Sequence, residues 1–254
     1  MDIGKLYDQS IAGTYDRDEL GLYSGARDKA YQQIKTHIGN QRIDDVLDLA
    51  VGTGESLLKM KELFPEGNLH GIDLSGEMLK IAKTKLSFNA IHDDVLNTCK
   101  HFPLASVDLM LMYFLTTFVD GSEVVRDTSK LLRPGGYYSI VGTTYEAFPR
   151  IDELARMTLS EDFLKQANPL PMGTETIVSY LSDAGLDVVA IDTFTKTVEF
   201  SDFKDFYQFG MDSGFFTHIL VQCDRAQLET FGRLENIFPL KDQYTGSIVL
   251  ARKP

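Results

Sequence analysis

The feature that most constrains the fold is the alternation of two kinds of segment between residues 42 and 144. Short, nearly all-apolar runs are separated by longer segments in which apolar side chains recur at helical spacing. This alternation predicts a parallel sheet with helices on both faces, and uniformly apolar runs are typical of strands buried on both sides. The predicted strands are residues 46–50, 69–74, 90–94, 107–113 and 137–143.

The connections between these strands are predicted to be crossover helices. Leu57, Met60 and Phe64 fall on one helical face between the first two strands. Ser75 favours the N-cap position of the next helix. Residues 133–136, Arg-Pro-Gly-Gly, predict a turn into the fifth strand. The predicted fold class is therefore α/β, with a doubly wound sheet.

The pattern changes after residue 145, where helical segments interrupt the alternation. Helical spacing predicts helices over residues 151–166 and 174–184, and a longer helical stretch over residues 202–238. Strands near residues 188–200 and 246–251 are predicted to pair as an antiparallel edge. The sheet is therefore expected to be mostly parallel and to contain seven strands.

No internal repeat or low-complexity linker divides the sequence, so we predict a single domain over residues 1–254. Residues 1–40 are predicted to form an N-terminal helical cap. Residues 145–173 and 202–238 are predicted helical insertions, and the prolines of residues 168–171 are expected to end the first insertion's helix. The cap and the insertions are candidates for a lid over the carboxyl edge of the sheet.

The charge of the chain narrows the classes of partner. The 37 acidic and 25 basic residues give a formal net charge of -12, whereas nucleic-acid binding relies on lysine and arginine contacts to phosphate. No apolar run approaches the roughly 20 residues that span a membrane, and the polar N-terminus does not match a secretion signal. We therefore predict a cytoplasmic protein, a monomer or homodimer, without nucleic-acid or membrane partners.

The two cysteines, Cys99 and Cys223, lie far apart and have no partners at metal-ligand spacing. This spacing argues against a disulfide framework and against a metal site. Both cysteines are predicted to be buried thiols.

Ligands of open α/β sheets bind outside the carboxyl ends of the strands. There, residues 48–54 read Asp-Leu-Ala-Val-Gly-Thr-Gly, in which Gly52 and Gly54 allow a tight turn and close approach of a ligand. A dinucleotide loop would place a third glycine at Leu57, and Asp48 and Glu55 bring negative charge to where a phosphate would lie. S-adenosylmethionine lacks phosphate and carries two cationic groups, so the acidic loop favours it over NAD.

Acidic residues also end the second and third predicted strands. Asp73 lies 73 − 52 = 21 residues after Gly52, close to the spacing at which an acid meets a ribose in nucleoside-binding folds. Its carboxylate can accept from both ribose hydroxyls. Asp94 is placed to accept from the adenine amino group. The adenine faces are expected to pack on Leu74, Met78 and Val95.

The chain resembles the class I S-adenosylmethionine-dependent methyltransferases, particularly their small-molecule branch. The matching residues are the 48–54 loop, Asp73-Leu74-Ser75 with Met78, Asp93-Asp94-Val95, Phe102-Pro103, Val107-Asp108-Leu109, and residues 132–136. The resemblance implies a Rossmann-like fold that binds S-adenosylmethionine. It places Asp48, Ala50, Gly52 and Gly54 at the methionine part, Asp73 at the ribose and Asp94 at the adenine, with Asp93 as a further cofactor-binding candidate.

The N-terminus extends this resemblance, because Tyr7, Tyr15 and Asp16 are similar to a motif that folds over the cofactor. Two departures are Ala50, where the family commonly has glycine, and Thr116-Thr117, where many relatives have two histidines. Residues 112–117 also lack the Asn/Asp-Pro-Pro-aromatic signature associated with methylation of DNA bases or protein glutamine.

The leading functional hypothesis is methyl transfer to an oxygen, nitrogen or carbon of a small metabolite, with release of S-adenosylhomocysteine. In-line alignment supplies much of the catalysis of such a reaction, and the sequence does not require a base. The candidates for substrate-facing roles are Tyr15, Tyr113, Tyr145 and His218, and Tyr113 is also a candidate cofactor contact.

Two alternatives remain open at this point. The same cavity is compatible with cyclisation or cleavage of S-adenosylmethionine itself, which releases methylthioadenosine, or with a non-catalytic regulatory module that only binds the nucleoside. The aromatic residues of segment 202–238 are interpreted as core packing, with a water-excluding wall beside the sulfonium as the alternative.

Overall fold

The computed structural model describes residues 2–167, 172–233 and 237–254. In these residues one sheet contains the strands β1 (Asp45–Leu49), β2 (Asn68–Asp73), β3 (Asn89–His92), β4 (Val107–Tyr113), β5 (Leu132–Thr143), β6 (Asp187–Phe200) and β7 (Leu240–Arg252). Their order is β3-β2-β1-β4-β5-β7-β6. Strands β1 to β5 are parallel, and β7 lies antiparallel between β5 and β6. The predicted mostly parallel, seven-stranded sheet is confirmed.

Two strands are longer than predicted. β5 begins at Leu132 rather than at residue 137, and Gly135, with φ 83°, lies within it. The pairing of β4 with β5 shifts register between Val107 and Leu109. The expected turn is therefore an irregularity inside the strand, because glycine allows the left-handed backbone that such a bulge needs.

β7 begins at Leu240 rather than at residue 246, because it pairs with β6 along its whole length, from Arg252 opposite Asp187 to Leu240 opposite Phe200. Its pairing with β5 ends at Gly246. The two late strands therefore continue past the end of β5 as a two-stranded extension of the sheet.

The helices are α1 (Ile3–Leu6), α2 (Leu22–Ile38), α3 (Glu55–Leu63), α4 (Gly76–Lys85), α5 (Gly121–Thr128), α6 (Pro149–Thr158), α7 (Glu161–Ala167), α8 (Thr174–Asp183), α9 (Phe203–Ser213), α10 (Thr217–Leu220) and α11 (Arg225–Arg233). Ser75 caps α4 as expected, because its Oγ accepts from the Met78 amide at 3.1 Å. The helix predicted over 151–166 is two helices, and the described residues of the segment 202–238 form three. The predicted helix stop at residues 168–171 lies outside the described residues.

Three apolar clusters fix these elements. The first joins α2 and α3 to one face of the sheet, and the second joins α5 and α8 to the other face. The third is aromatic and packs α6, α9 and α10 on the extension of β6 and β7, around Phe148, Phe200, Phe206 and Tyr244. The Asp242 carboxylate, on the extension, accepts from the amides of Arg150 and Ile151 at 3.2 and 2.8 Å, which anchors α6.

The N-terminal segment, residues 2–18, lies across the carboxyl edge of the sheet. The Asp8 carboxylate accepts from Ser75 Oγ at 2.5 Å and from the Glu77 amide at 3.0 Å, at the start of α4. Asp16 accepts from Thr53 Oγ1 at 2.5 Å and pairs with Lys85 at 2.6 Å. These contacts hold the segment against the glycine loop and α4.

Both cysteines differ from the prediction of buried thiols. Cys99 is exposed, and Cys223 is partly exposed. Cys99 lies in a short 3-10 helix, Val95–Lys100, on the surface of the sheet's edge. Apart from the gaps at residues 168–171 and 234–236, no helix is long and apolar enough to cross a membrane, and no group of three metal-ligating residues is found.

Candidate active site

Two adjoining cavities open at the carboxyl edge of the sheet. The edge cavity, of about 320 Å³, is lined by strand-end residues that include Ala50, Gly52, Asp73 and Asp94. The lid cavity, of about 460 Å³, lies beside it under α6, α7, α9 and α10. Three aromatic side chains, those of Tyr7, Phe114 and Phe118, line both cavities.

Asp73 joins the glycine loop to the second strand. One carboxylate oxygen accepts from the Gly52 amide at 2.7 Å, and the other accepts from the Ser75 amide at 2.8 Å. Burial raises the pKa of Asp73, although these two amides oppose the effect. Since a carboxylate has about four acceptor positions, Asp73 keeps acceptor capacity for a ligand in the edge cavity.

The neighbours Asp93 and Asp94 have different surroundings. Asp94 lines the edge cavity and caps the following 3-10 helix through the Leu96 amide at 2.9 Å. Asp93 is absent from the described lining and accepts from Asn97 and His101 at 2.8 and 2.7 Å. Hydrogen bonds from Asn97, His101 and the Asp94 amide lower the pKa of Asp93 to about 2. Only Asp94 is therefore placed to contact a ligand directly.

The apolar residues predicted to hold an adenine are together. Leu74, Met78 and Val95 all line the edge cavity beside Asp94. Met78 and Val95 are buried, whereas Leu74 is 44% exposed. This side of the edge cavity thus presents apolar surface next to a hydrogen-bond acceptor.

The glycine loop uses left-handed backbone at three positions. Ala50, Gly52 and Gly54 have φ of 62°, 53° and 85°. Ala50 and Gly52 line the edge cavity, whereas Gly54 does not. A Cβ at Gly54 would lie 3.0 Å from both Ala82 Cβ and Leu86 Cδ2. Gly54 therefore allows the loop to pack closely on α4.

Asp48 lies behind the loop. It is 2% exposed and is not among the described residues that line the edge cavity. Burial and the nearby Asp73 raise its pKa, and Arg27 opposes this shift.

Arg27, on α2, is a residue that the sequence analysis missed. Burial lowers its pKa, but Tyr15, Tyr31, Asp18 and Glu55 outweigh this effect, so its pKa is raised. In the described part of the chain its guanidinium forms no ion pair or hydrogen bond. An arginine on a helix is usually a solvated residue, so the sequence held no signal for a cation behind the loop.

The predicted tyrosines take different positions. Tyr7 and Tyr15 come from the N-terminal segment and line the edge cavity, with their ring centroids 6.5 Å apart. Tyr113 also lines it, but its hydroxyl lies 3.0 Å from Ser139 Oγ in the core. Tyr145 is half exposed at the lid cavity and donates to Glu175 at 2.8 Å. Burial raises the pKa of Tyr7, Tyr15 and Tyr113, so these phenols stay protonated at neutral pH.

His218 lines the lid cavity and is 4% exposed. Its ring packs edge-on against Phe118, with centroids 5.5 Å apart. Neither ring nitrogen has a hydrogen-bond partner within the described residues. Burial lowers the pKa of His218 to about 4, and the nearby Gly214 backbone only partly opposes this. The imidazole is therefore neutral at physiological pH.

The aromatic residues of the insertions have two roles. Phe148, Phe206, Phe215 and Phe216 belong to the third apolar cluster or pack against it, as the core interpretation expected. The same side chains line the lid cavity. A small molecule in that cavity would be enclosed largely by ring faces and edges, away from water.

Comparison with known proteins agrees with this geometry. Residues 46–136 match the family model described as a methyltransferase domain. A demethylmenaquinone methyltransferase of Listeria monocytogenes serotype 4a (strain HCC23) is 28% identical over 147 residues, which cover 56% of this chain and 62% of the relative. The chain thus spans about three fifths of the length of that curated relative.

Solved structures share the fold at low identity. A Bacillus halodurans C-125 protein assigned as a methyltransferase superposes with a TM-score of 0.64 at 16% identity, over 90% of this chain and 98% of that one. Geranyl diphosphate C-methyltransferase from Streptomyces coelicolor A3(2), solved with S-adenosyl-L-homocysteine, gives a TM-score of 0.54 at 14% identity, over 89% and 76%. The predicted resemblance to class I methyltransferases and their Rossmann-like fold is confirmed.

Proposed function

We propose that this chain, with its methyltransferase domain, transfers a methyl group from S-adenosylmethionine to a small molecule and releases S-adenosylhomocysteine. The observation that carries the proposal is the shared wall of Tyr7, Phe114 and Phe118 between the edge and lid cavities. A nucleoside in the edge cavity and an acceptor in the lid cavity would meet at this wall. Methyl transfer rests largely on such alignment.

The edge cavity suits the nucleoside. We assign the ribose hydroxyls to the free acceptor positions of Asp73, the adenine amino group to Asp94, and the adenine faces to Leu74, Met78 and Val95. Ala50 and Gly52 would border the methionine part, and Arg27, which does not line the edge cavity, would contribute positive charge behind the loop. The rings of Tyr7 and Tyr15 are suited to stabilise the sulfonium charge.

Three predicted cofactor residues receive a different assignment. Asp48, Gly54 and Asp93 do not line the edge cavity in the described structure. We propose that Gly54 and Asp93 support the ligand-binding residues through packing and hydrogen bonds, and that Asp48 adds negative charge behind the loop. Tyr113 would contact the nucleoside through its ring, and Tyr145 would border the entrance of the lid cavity.

A separate lid cavity favours methyl transfer over cleavage or cyclisation of S-adenosylmethionine, because those reactions need no second substrate. The name of the Listeria relative points to quinone-type acceptors for that protein, and an apolar acceptor is compatible with this lid cavity. Cytoplasmic location, exclusion of nucleic acid, and a monomeric or homodimeric state remain predictions.

The first experiment compares ligands by thermal shift and by calorimetry. S-adenosylhomocysteine should stabilise the protein, and NAD should not. With an acceptor mixture, radiolabelled methyl should appear in a new product together with S-adenosylhomocysteine. Methylthioadenosine formed without any acceptor would overturn the proposal, and so would stabilisation by NAD alone.

The second experiment tests the ribose assignment with Asp73→Asn. Asparagine keeps an acceptor for only one of the two backbone amides that Asp73 accepts from, and its NH2 group faces the other. It also loses charged hydrogen bonds to the ribose, worth about 1.5–3 kcal/mol. S-adenosylhomocysteine should therefore bind roughly 10- to 100-fold more weakly. Asp28→Asn makes the same chemical change at an exposed residue of α2 that does not line the edge cavity, and as the control it should change the affinity less than about twofold. A larger effect of the control would refute the assignment.

A further inference from the structure

We infer that the acceptor is a neutral, mainly apolar molecule with a hydroxyl group, and that His218 recognises this hydroxyl. The inference rests on the proposed function, since it names the class of molecule that occupies the lid cavity. In this inference, His218 is a residue that determines specificity for the acceptor. His218 lies outside residues 46–136, which match the methyltransferase domain.

The first observation is the apolar character of the enclosure. Apolar side chains that are at least partly buried make up much of the lid cavity's lining, among them Phe148, Ile151, Phe215, Phe216, Leu220 and Phe231. A polar or charged group that enters such surroundings loses its hydration and needs a partner inside. Most of the occupant's surface must therefore be apolar.

The second observation is the pairing of the charges around the lid cavity. Asp152 and Arg156 pair at 2.7 Å, and Glu161 and Lys165 pair at 2.8 Å. All four residues line the cavity, and their charges sum to zero. A carboxylate or phosphate on the occupant would have to compete with these pairs for a cation. The lining thus favours a neutral molecule.

The third observation is the unsatisfied imidazole of His218. Buried polar side chains are almost always hydrogen-bonded, but neither ring nitrogen of His218 has a partner at good hydrogen-bond geometry in the described residues. The nearby Gly214 backbone can serve one nitrogen at most, so at least one nitrogen needs an explanation. A neutral imidazole has one donor and one acceptor, and a hydroxyl can pair with either. The nitrogens are covered in the empty cavity, but a flip of the ring exchanges nitrogen and carbon positions without moving the backbone.

The position of His218 gives the hydroxyl an orientation. Phe118 packs against His218 at 5.5 Å and against Tyr7 at 5.8 Å, and both Phe118 and Tyr7 line the edge cavity as well. His218 thus contacts Phe118, one of the three side chains that form the shared wall. A hydroxyl bound to it directs the polar end of the acceptor toward the nucleoside and leaves the apolar remainder under α6 and α7.

The test uses three probes with the protein saturated with S-adenosylhomocysteine. 1-Naphthol and 1-methylnaphthalene have nearly the same shape, and only the naphthol has a hydroxyl. 1-Naphthoate is the anionic probe. The naphthol should bind about 5- to 50-fold more tightly than 1-methylnaphthalene, the range expected for satisfying a buried polar group. The naphthoate should bind more weakly than the naphthol.

Two variants assign this preference to His218. His218→Phe should bind 1-naphthol and 1-methylnaphthalene equally, and His218→Gln should retain part of the preference through its amide. Both should bind S-adenosylhomocysteine like the wild type, which shows that they fold. His37→Phe makes the same chemical change at an exposed residue and should leave the preference unchanged.

The outcomes separate this inference from the proposed function. If S-adenosylhomocysteine does not bind to the wild type, the proposed function fails. If it binds and the naphthol preference is absent, or is unchanged in His218→Phe, the role of His218 is refuted. Tighter binding of 1-naphthoate than of 1-naphthol would refute the neutral substrate class.

Discussion

Replacing Asp48 with asparagine is expected to stabilise the protein in the absence of ligand near neutral pH. Asp48 is almost completely buried, and no hydrogen bond to its carboxylate is found in the described residues. Burial and the nearby Asp73 both disfavour its ionised form, and only Arg27 opposes them. Asparagine has nearly the same shape and no charge, so the substitution removes this cost without opening a cavity.

The expected gain is about 1 kcal/mol, because one pKa unit of disfavoured ionisation costs about 1.4 kcal/mol and the buried asparagine amide offsets part of the gain. For a chain of this size, each kcal/mol changes the melting temperature by about 2–4 °C. Asp48→Asn should therefore melt at least about 2 °C above the wild type at pH 7.5. Asp28→Asn makes the same change at an exposed residue of α2 and should alter the melting temperature by less than about 1 °C.

The gain in stability from Asp48→Asn should be larger at neutral pH than at acidic pH. Because the folded-state pKa of Asp48 lies above its ordinary value of 3.8, ionisation costs stability in the folded state. The wild type is thus free of this cost below pH 3.8 and acquires it as the pH rises through the folded-state pKa. The difference between variant and wild type should shrink as the pH falls from 7.5 toward 4.

Differential scanning calorimetry at pH 7.5, 6 and 4.5, with both proteins free of nucleoside, measures these differences. A destabilised variant at pH 7.5 would show that the Asp48 carboxylate makes a favourable contact in the folded protein. A gain that stays constant over the whole pH range would show that ionisation of Asp48 is not its source. Either result would refute the electrostatic reasoning.

Two further substitutions test other parts of the structure. Gly54→Ala should cost about 2–4 kcal/mol in urea unfolding, because alanine is strained at φ 85° and its Cβ would lie 3.0 Å from Ala82 and Leu86. The control Gly185→Ala, at φ 74° with open space around the Cβ, should cost only about 1–2 kcal/mol. Equal losses in the two variants would contradict the packing argument. Arg133 pairs with Asp108 at 2.6 Å and with Asp45 at 2.9 Å. Burial raises the pKa of Asp45, but the hydrogen bond and charge of Arg133, together with hydrogen bonds from Asn68 and His70, outweigh burial, so the pKa of Asp45 is lowered. The stability that this ion pair contributes is present above the ordinary pKa of aspartate and is lost as the pH falls. Arg133→Met should therefore cost about 1 kcal/mol of unfolding free energy at pH 6 and much less at pH 3, as measured by urea midpoints at the two pH values. A cost that does not fall with pH would contradict the assignment.

The sheet and the nucleoside half of the site follow from local sequence patterns. Five parallel strands buried on both faces produce uniformly apolar runs, so their positions were predicted to within a few residues. The carboxyl edge of the sheet follows from topology, which is why Asp73 and Asp94 were predicted there, and both line the edge cavity. The family model matches residues 46–136, which contain both.

Contacts between distant segments account for what the sequence analysis missed. Asp93 and Asp94 are adjacent in sequence, and only the tertiary structure decides which of them lines the edge cavity. Arg27 comes from a helix outside the alternation, and its position behind the loop depends on how α2 packs on the sheet. Cys99 was misjudged because cysteine is usually buried, whereas the short helix that carries it lies on the surface.

Helices around the lid cavity pack on the extension of β6 and β7 past the end of β5. Asp242 on this extension anchors α6, and the aromatic cluster of the insertions packs there, with Phe114 as its contact to residues 46–136. Changes of sequence in the insertions can therefore accumulate without disturbing the nucleoside half of the site. Related proteins can therefore keep the same cofactor site and differ in the acceptor molecules that their insertions enclose.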